Sequence, residues 1–194
     1  MREDTSIVRS FSRSYKNSYN KKLIRKLKSF NNLKIIGMGG SILGTESIYS
    51  FLKNKIKKKV IFINNLETKK KILKNKKELN LIISKSGNTL ETIVNSNILI
   101  KSKHNLIITE NKNSYLVLLA KKLKAEIINH NNFIGGRYSV LSEVGMLPAE
   151  LMGLNVNRFK QLNNLIKNKN YINTLTLNVA NILYFIKQKN AIQL

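Results

Sequence analysis

The run Leu81-Ile82-Ile83-Ser84-Lys85-Ser86-Gly87-Asn88-Thr89-Leu90-Glu91-Thr92 changes character in its middle, and that change limits what the chain can fold into. It begins as a short apolar run, the length of a buried strand. It then passes into small hydroxylated residues and one glycine. Beyond Asn88 the apolar positions move to helical spacing, with Leu90, Ile93, Val94 and Ile98 predicted on one face. Asn88 and Glu91 stand at the separation of a helix cap and its reciprocal partner. The sequence therefore predicts strand, tight loop and helix N-terminus. Such a terminus directs free backbone N–H groups and partial positive charge into the loop, where Ser84, Ser86 and Thr89 add hydroxyls. A phosphate suits that loop; an ordinary capped βα turn uses the same residue types.

The pattern recurs along the chain. Leu33–Gly37, Val60–Ile63, Asn105–Thr109 and Ala125–Ile128 read as four more buried strands. Helical patterns fall between them, through Ile48–Ile56, Leu66–Lys76 and Leu116–Leu123. Strands alternating with helices at this spacing predict βαβ units and a parallel, doubly wound α/β sheet covered on both faces. Before the first strand, Met1–Lys16 is polar and unpatterned, and Asn17–Phe30 reads as an amphipathic helix. After the fifth strand, apolar residues from Val140 to Met152 take helical spacing, with Pro148 predicted to kink or interrupt that helix. Two further helices are expected around Phe159–Ile166 and Leu175–Lys187. No repeat or linker divides the chain.

Composition narrows the functional classes. The absence of cysteine excludes disulfides and thiolate metal sites and suits a reducing, cytoplasmic compartment. Two histidines, His104 and His130, are too few for a histidine-rich metal centre, so no metal is expected. The basic N-terminus lacks the apolar core of a secretory signal, and Leu175–Ile186 is too short and too asparagine-rich to span a bilayer, so no membrane association is expected. The formal net charge of +25 raises nucleic-acid binding. The lysines are scattered, however, and no RNP-like aromatic sequence, zinc-finger spacing or arginine arm accompanies them. A solvated lysine-rich surface is the better account.

Three glycine- or hydroxyl-rich segments fall at what should be one end of the sheet, where open parallel sheets bind ligands. Besides Ser84–Thr89 these are Gly37–Gly44 and Gly135-Gly136-Arg137. The first places glycines where backbone must approach a ligand or another chain closely, with Ser41 as a donor, although a tight turn needing positive φ has the same composition. The last presents a permanent guanidinium just before a helix, suited to a phosphate or an oxyanion, or to a surface salt bridge.

Together the segments IIGMGGSILG (Ile35–Gly44), SKSGNTLET (Ser84–Thr92) and GGRYSVLSEVGMLPAELMG (Gly135–Gly153) resemble the N-terminal sugar-isomerase (SIS) half of the glucose-6-phosphate isomerase family. The first two occur more loosely in SIS domains generally, and the third is the specific one. The resemblance implies a three-layer α/β/α SIS-type domain with a five-stranded parallel sheet over residues 33–194, preceded by a helical extension over 1–32. By the same resemblance Gly40 and Ser41 would lie against a bound sugar phosphate. Ser84, Lys85, Ser86, Gly87, Asn88 and Thr89 would cradle its phosphate. Gly136 and Arg137 would sit near the reacting carbons, Arg137 stabilising a cis-enediolate. The implied reaction interconverts glucose 6-phosphate and fructose 6-phosphate without cofactor, in a protein that forms homodimers at full length.

The family's general base is a glutamate in an E-S-x-G-K-like segment downstream of the GGR motif, and no such segment occurs in these residues, nor does the second SIS half. The glutamates present, Glu143 among them, read as helix-surface or capping residues, and His104 and His130 as structural or solvent-facing. The expectation is thus a truncated isomerase that binds sugar phosphates weakly without turning them over, with apolar surface exposed on its late helices. The alternative is a stand-alone sugar-phosphate-binding SIS module.

Overall fold

A computed structural model describes residues 5–66, 78–100 and 103–188. The helix expected at Leu66–Lys76 falls, beyond its first residue, outside the described residues. Five strands, β1 (Asn32–Gly37), β2 (Lys59–Ile63), β3 (Glu78–Ile83), β4 (Asn105–Thr109) and β5 (Glu126–Asn129), form one sheet in the order β2-β1-β3-β4-β5. Every pairing is parallel. Alternation along the strands sorts side chains to two cores. Leu33, Ile35, Leu81, Ile83, Leu106 and Ile108 face one core, shared with α2 (Lys21–Leu27) and α6 (Glu143–Leu151). Ile36, Ile82 and Ile107 face the other, with Leu99 of α4 (Leu90–Leu99) and Leu116, Leu119 and Ala120 of α5 (Tyr115–Leu123). Each such aliphatic side chain, fully buried, contributes on the order of 1.5–3 kcal/mol. The expected three-layer α/β/α arrangement is what the chain adopts.

Strand β3 begins earlier than its apolar run suggests, because polar residues at the sheet's lower end are paired. Lys34 Nζ lies 2.7 Å from Glu78 Oε1, and Asn80 Nδ2 donates to Asn105 Oδ1 at 2.8 Å. A buried charge or carboxamide is tolerated where its partner is supplied. Helix α1 (Ser6–Ser10) arises in the stretch that carries no pattern, capped by Thr5 Oγ1. Helix α2 is shorter than the amphipathic pattern because Asn20 Oδ1 accepts the Leu23 N–H at 2.8 Å and sets its start.

Two expectations about helices fail. The buried face of α4 is Thr92, Asn95, Ser96 and Leu99, while Leu90 and Ile98 are exposed. Its polar residues can be buried because Asn95 Nδ2 donates to Asn65 O and Ser96 Oγ to Thr92 O. Helix α6 runs through Pro148 uninterrupted. Proline removes the N–H that would reach Val144 O one turn earlier. The hydroxyl of Thr45, on α3 (Leu43–Leu52), points at that carbonyl from 3.4 Å and takes the missing donor's place.

The chain closes with α7 (Leu162–Ile166) and α8 (Lys169–Lys187); α8 buries none of its residues, leaving Leu175, Val179, Ile182 and Phe185 exposed.

Candidate functional site

The sheet order sets where a ligand can sit. From β1 the chain crosses through α3 to β2, and from β3 it crosses through α4 to β4, on the opposite side. The two crossovers part between β1 and β3, the switch point at which α/β sheets open a crevice. Gly37 pairs with Ile83 there, and a Cβ on Gly37 would stand only 3.0 Å from Ile83 O. The turns that follow these two strands therefore lie side by side.

The turn after β3 is built around Gly87, which has φ +69°. A Cβ there would come within 2.7 Å of Ser114 Cβ and 2.9 Å of Thr109 Oγ1, so the loop after β4 fills the space a side chain would need. Ser84 is buried, and its Oγ accepts the Gly87 N–H at 3.2 Å and bonds Thr89 Oγ1 at 2.9 Å. Ser86 Oγ accepts the Asn88 N–H at 3.2 Å, which leaves its own O–H as a donor. Asn88 is not the cap of α4: the N-cap is Thr89, and Asn88 Oδ1 instead accepts the Tyr115 N–H at 2.8 Å, capping α5. Consequently no capping box forms with Glu91. Thr89 makes no side-chain cap bond either, so the first N–H groups of α4 keep no partner from a cap. Lys85 is less free than its position suggests. Its Nζ donates to Asn132 O at 2.9 Å and lies 3.4 Å from Glu110 Oε1.

The turn after β1 and the segment after β5 are pressed together. Gly39 takes φ +55°, and a Cβ on Gly40 would fall on the Gly136 carbonyl group and 2.9 Å from Arg137 N. Ser139 Oγ is 3.2 Å from Gly40 O and 2.7 Å from Gly136 O, bracing the same junction. Gly136 and Arg137 open a 3₁₀ turn that leads into α6. The Arg137 side chain is exposed and forms no ion pair or hydrogen bond with any described residue. Gly40, Ser41, Gly136 and Arg137 are thus one cluster, and Ser84–Thr89 lies beside it across the switch point.

Residues 7–182 match the phosphoglucose isomerase family. The chain belongs to the phosphoglucose isomerase family. Its sequence is 37% identical over 146 residues to glucose-6-phosphate isomerase of Methanocaldococcus jannaschii, covering 69% of this chain and 36% of that protein. A second relative, glucose-6-phosphate isomerase of Mesomycoplasma hyopneumoniae, is 32% identical over 73% of the chain. The chain spans little more than a third of the length of these curated relatives. Among solved structures, a hypothetical protein of Thermus thermophilus aligns with TM-score 0.59 at 23% identity, over 70% of this chain and 37% of that one. These comparisons agree with the SIS-type fold that the phosphoglucose isomerase motifs imply.

One residue of this phosphoglucose isomerase family member departs from its expected surface or capping place. Glu143, expected on a helix surface or at a cap, is 1% exposed. Its Oε1 takes hydrogen bonds from His130 Nδ1 and the Asn131 N–H, both at 2.9 Å, and Oε2 accepts the Tyr15 hydroxyl at 3.2 Å. Burial alone pushes this carboxyl up; the bonds from His130, Asn131 and its own N–H outweigh that and hold it below the usual carboxylate range. The Tyr15 hydroxyl is pushed up to about 12 by burial and by the Glu143 charge. Lys160 Nζ, buried over the Tyr15 ring at 4.6 Å, is pulled down by burial against the opposing influence of Glu143. His130 is buried and structural, while His104 is exposed against the Phe30 ring. No periodicity joins His130 to Glu143, so the sequence carries no signal for the pair. Among the described residues no helix is long and apolar enough to cross a membrane.

Proposed function

We propose that this chain supplies the phosphate-binding and oxyanion-stabilising half of a cytoplasmic glucose-6-phosphate isomerase that dimerises at full length. The observation that carries the proposal is the uncapped N-terminus of α4, wrapped by the Gly87 turn beside the Gly40–Gly136 junction. A sugar phosphate lying across the switch point would have its phosphate oxygens accept the first N–H groups of α4 and the Ser86 hydroxyl. Helix termini favour such anions through both free donors and the macrodipole. The buried Ser84–Thr89 pair would hold the loop, and Lys85, tied to Asn132, would add positive charge nearby. Gly40 and Ser41 would pass along the sugar, bringing the reacting carbons to Gly136 and Arg137. There the unpaired guanidinium would meet the negative charge that develops on the enediolate oxygens.

Proton transfer between adjacent carbons takes a positioned base. The carboxylates attached to these loops are both engaged, Glu110 with Lys85 and Lys112, and Glu143 with His130 and Asn131. This chain on its own is therefore expected to bind and not to turn over. Calorimetric titration with fructose 6-phosphate tests this. Ser86→Ala, losing one hydrogen bond, should weaken binding by about 2- to 10-fold. Arg137→Ala should weaken fructose 6-phosphate and leave inorganic phosphate unchanged, since only the sugar reaches the guanidinium. A folded wild-type chain that binds neither ligand refutes the proposal. Turnover by the pure chain refutes the division of labour.

A further inference from the structure

Arg137 has no side-chain partner among the described residues, so where its guanidinium sits depends on how residues 129–137 are held. Four other parts of the molecule grip the start of that segment. Ser18 Oγ donates to Asn129 O at 2.5 Å from the N-terminal stretch, and the His130 N–H donates to Thr109 O at 2.8 Å at the end of β4. Lys85 Nζ reaches Asn132 O from the Gly87 turn. From the first residue of α6, the Glu143 carboxylate takes both the His130 ring and the Asn131 N–H. Asn131 then folds the strand of chain beyond it, accepting the Phe133 N–H on its Oδ1 and the Ile134 N–H on its carbonyl. Three of these grips come from the surface or from backbone; Glu143 is the one made by a buried ion.

We propose that Glu143 is a positioning residue: its buried carboxylate anchors the His130–Ile134 turn and so fixes the Gly136–Arg137 backbone against Gly40. It also reaches Tyr15, so the N-terminal stretch is tied to the same turn and acts on the site through it. A carboxylate suits this position because one oxygen can receive two donors with full charge. Hydrogen bonds to an ionised acceptor are about twice as strong as those to a neutral one. Glutamine keeps the shape and one acceptor oxygen but loses the charge; alanine loses both. The inference rests on reading Arg137 as substrate-facing, and its first test does not.

That test is amide hydrogen exchange on the full chain, compared among wild type, Glu143→Gln and Glu143→Ala. Exchange at Asn131, Ile134 and Tyr138 should rise about severalfold in the glutamine variant and tenfold or more in the alanine variant, as local opening becomes easier. The sheet amides of Ile82 and Ile107 should keep their wild-type protection. Exchange at Asn131 that stays at the wild-type level in Glu143→Gln overturns the proposal, and so does a rise spread equally over sheet and turn. If Glu143→Ala does not fold, the glutamine variant decides alone. Fructose 6-phosphate affinity should fall in the same order as the exchange rises. Absence of binding in the wild type would count against the proposed function, while the exchange pattern would still settle the role of Glu143.

Discussion

The accommodation of Pro148 inside α6 can be measured. Its missing N–H leaves Val144 O with the Thr45 hydroxyl as donor, at 3.4 Å and with Thr45 1% exposed. Thr45→Val keeps the shape and removes the donor. A lost hydrogen bond is worth about 0.5–1.5 kcal/mol and a stranded buried carbonyl about 1–3 kcal/mol. The long contact puts the expected loss near the bottom of that range, about 1 kcal/mol. For a chain of this size such a loss lowers Tm by about 2–4 °C. The decisive comparison is made in a Pro148→Ala background, where the restored N–H closes the ordinary helical bond to Val144 O. There Thr45→Val should cost close to nothing, giving a coupling of about 1 kcal/mol in the double-mutant cycle. Thermal or urea unfolding of the four proteins reads this directly. Equal losses in both backgrounds would show that Thr45 does not replace the missing donor, and the explanation for the continuous helix would fall.

Gly39→Ala and Gly87→Ala separate backbone strain from crowding. Both residues have positive φ, but a Cβ at Gly39 meets nothing within 4 Å, whereas one at Gly87 meets Ser114 and Thr109. Gly39→Ala should cost about 1–2 kcal/mol of strain, and Gly87→Ala distinctly more, compared by denaturant midpoints; equal midpoints would contradict the packing described. Gly40→Ala should push the Gly136–Arg137 segment away while leaving the sheet intact, lost fructose 6-phosphate binding with an unchanged far-UV spectrum being the expected pair of results. The carboxyl of Glu143 is held low in the folded state, so the unfolded chain takes up its proton first as pH falls. Its contribution to stability is present above the ordinary carboxylate range and disappears as pH drops through the folded value. Unfolding free energies followed downward from neutral pH should show a shallower acid decline in Glu143→Gln.

Much of the architecture was legible because buried parallel strands must be apolar on both faces, and Ile35–Ile36, Leu81–Ile83 and Leu106–Ile108 are. The ligand-side loops were legible for a related reason: positions that need positive φ or close backbone approach select glycine, as at Gly39, Gly40 and Gly87. Long-range polar pairing was not. Glu78 and Asn80 looked unlike strand residues because their partners, Lys34 and Asn105, are distant in sequence. Asn88 stands at the right spacing to cap its own helix and caps its neighbour's instead, because the start of α5 is brought against the Gly87 turn, Tyr115 N–H to Asn88 Oδ1 and Leu116 N–H to Gly87 O. Glu143 has the local context of a first-turn carboxylate, and only the arrival of the His130 turn and Tyr15 above it makes it a buried anchor.

The uncapped start of α4 has a consequence for how this chain can change over time. Every residue type except proline supplies a peptide N–H, so donors of that kind are indifferent to which side chain occupies each position. The formal charge of +25 comes from lysines scattered along the whole sequence. Substituting one surface residue for another rewrites a side chain and leaves the peptide group as it was. What must stay fixed is small: a few glycines that permit the turns, and the neighbours that fill the space beside them. The proposed sugar-phosphate site, written mainly in the main chain, would persist while most of the surface around it is replaced.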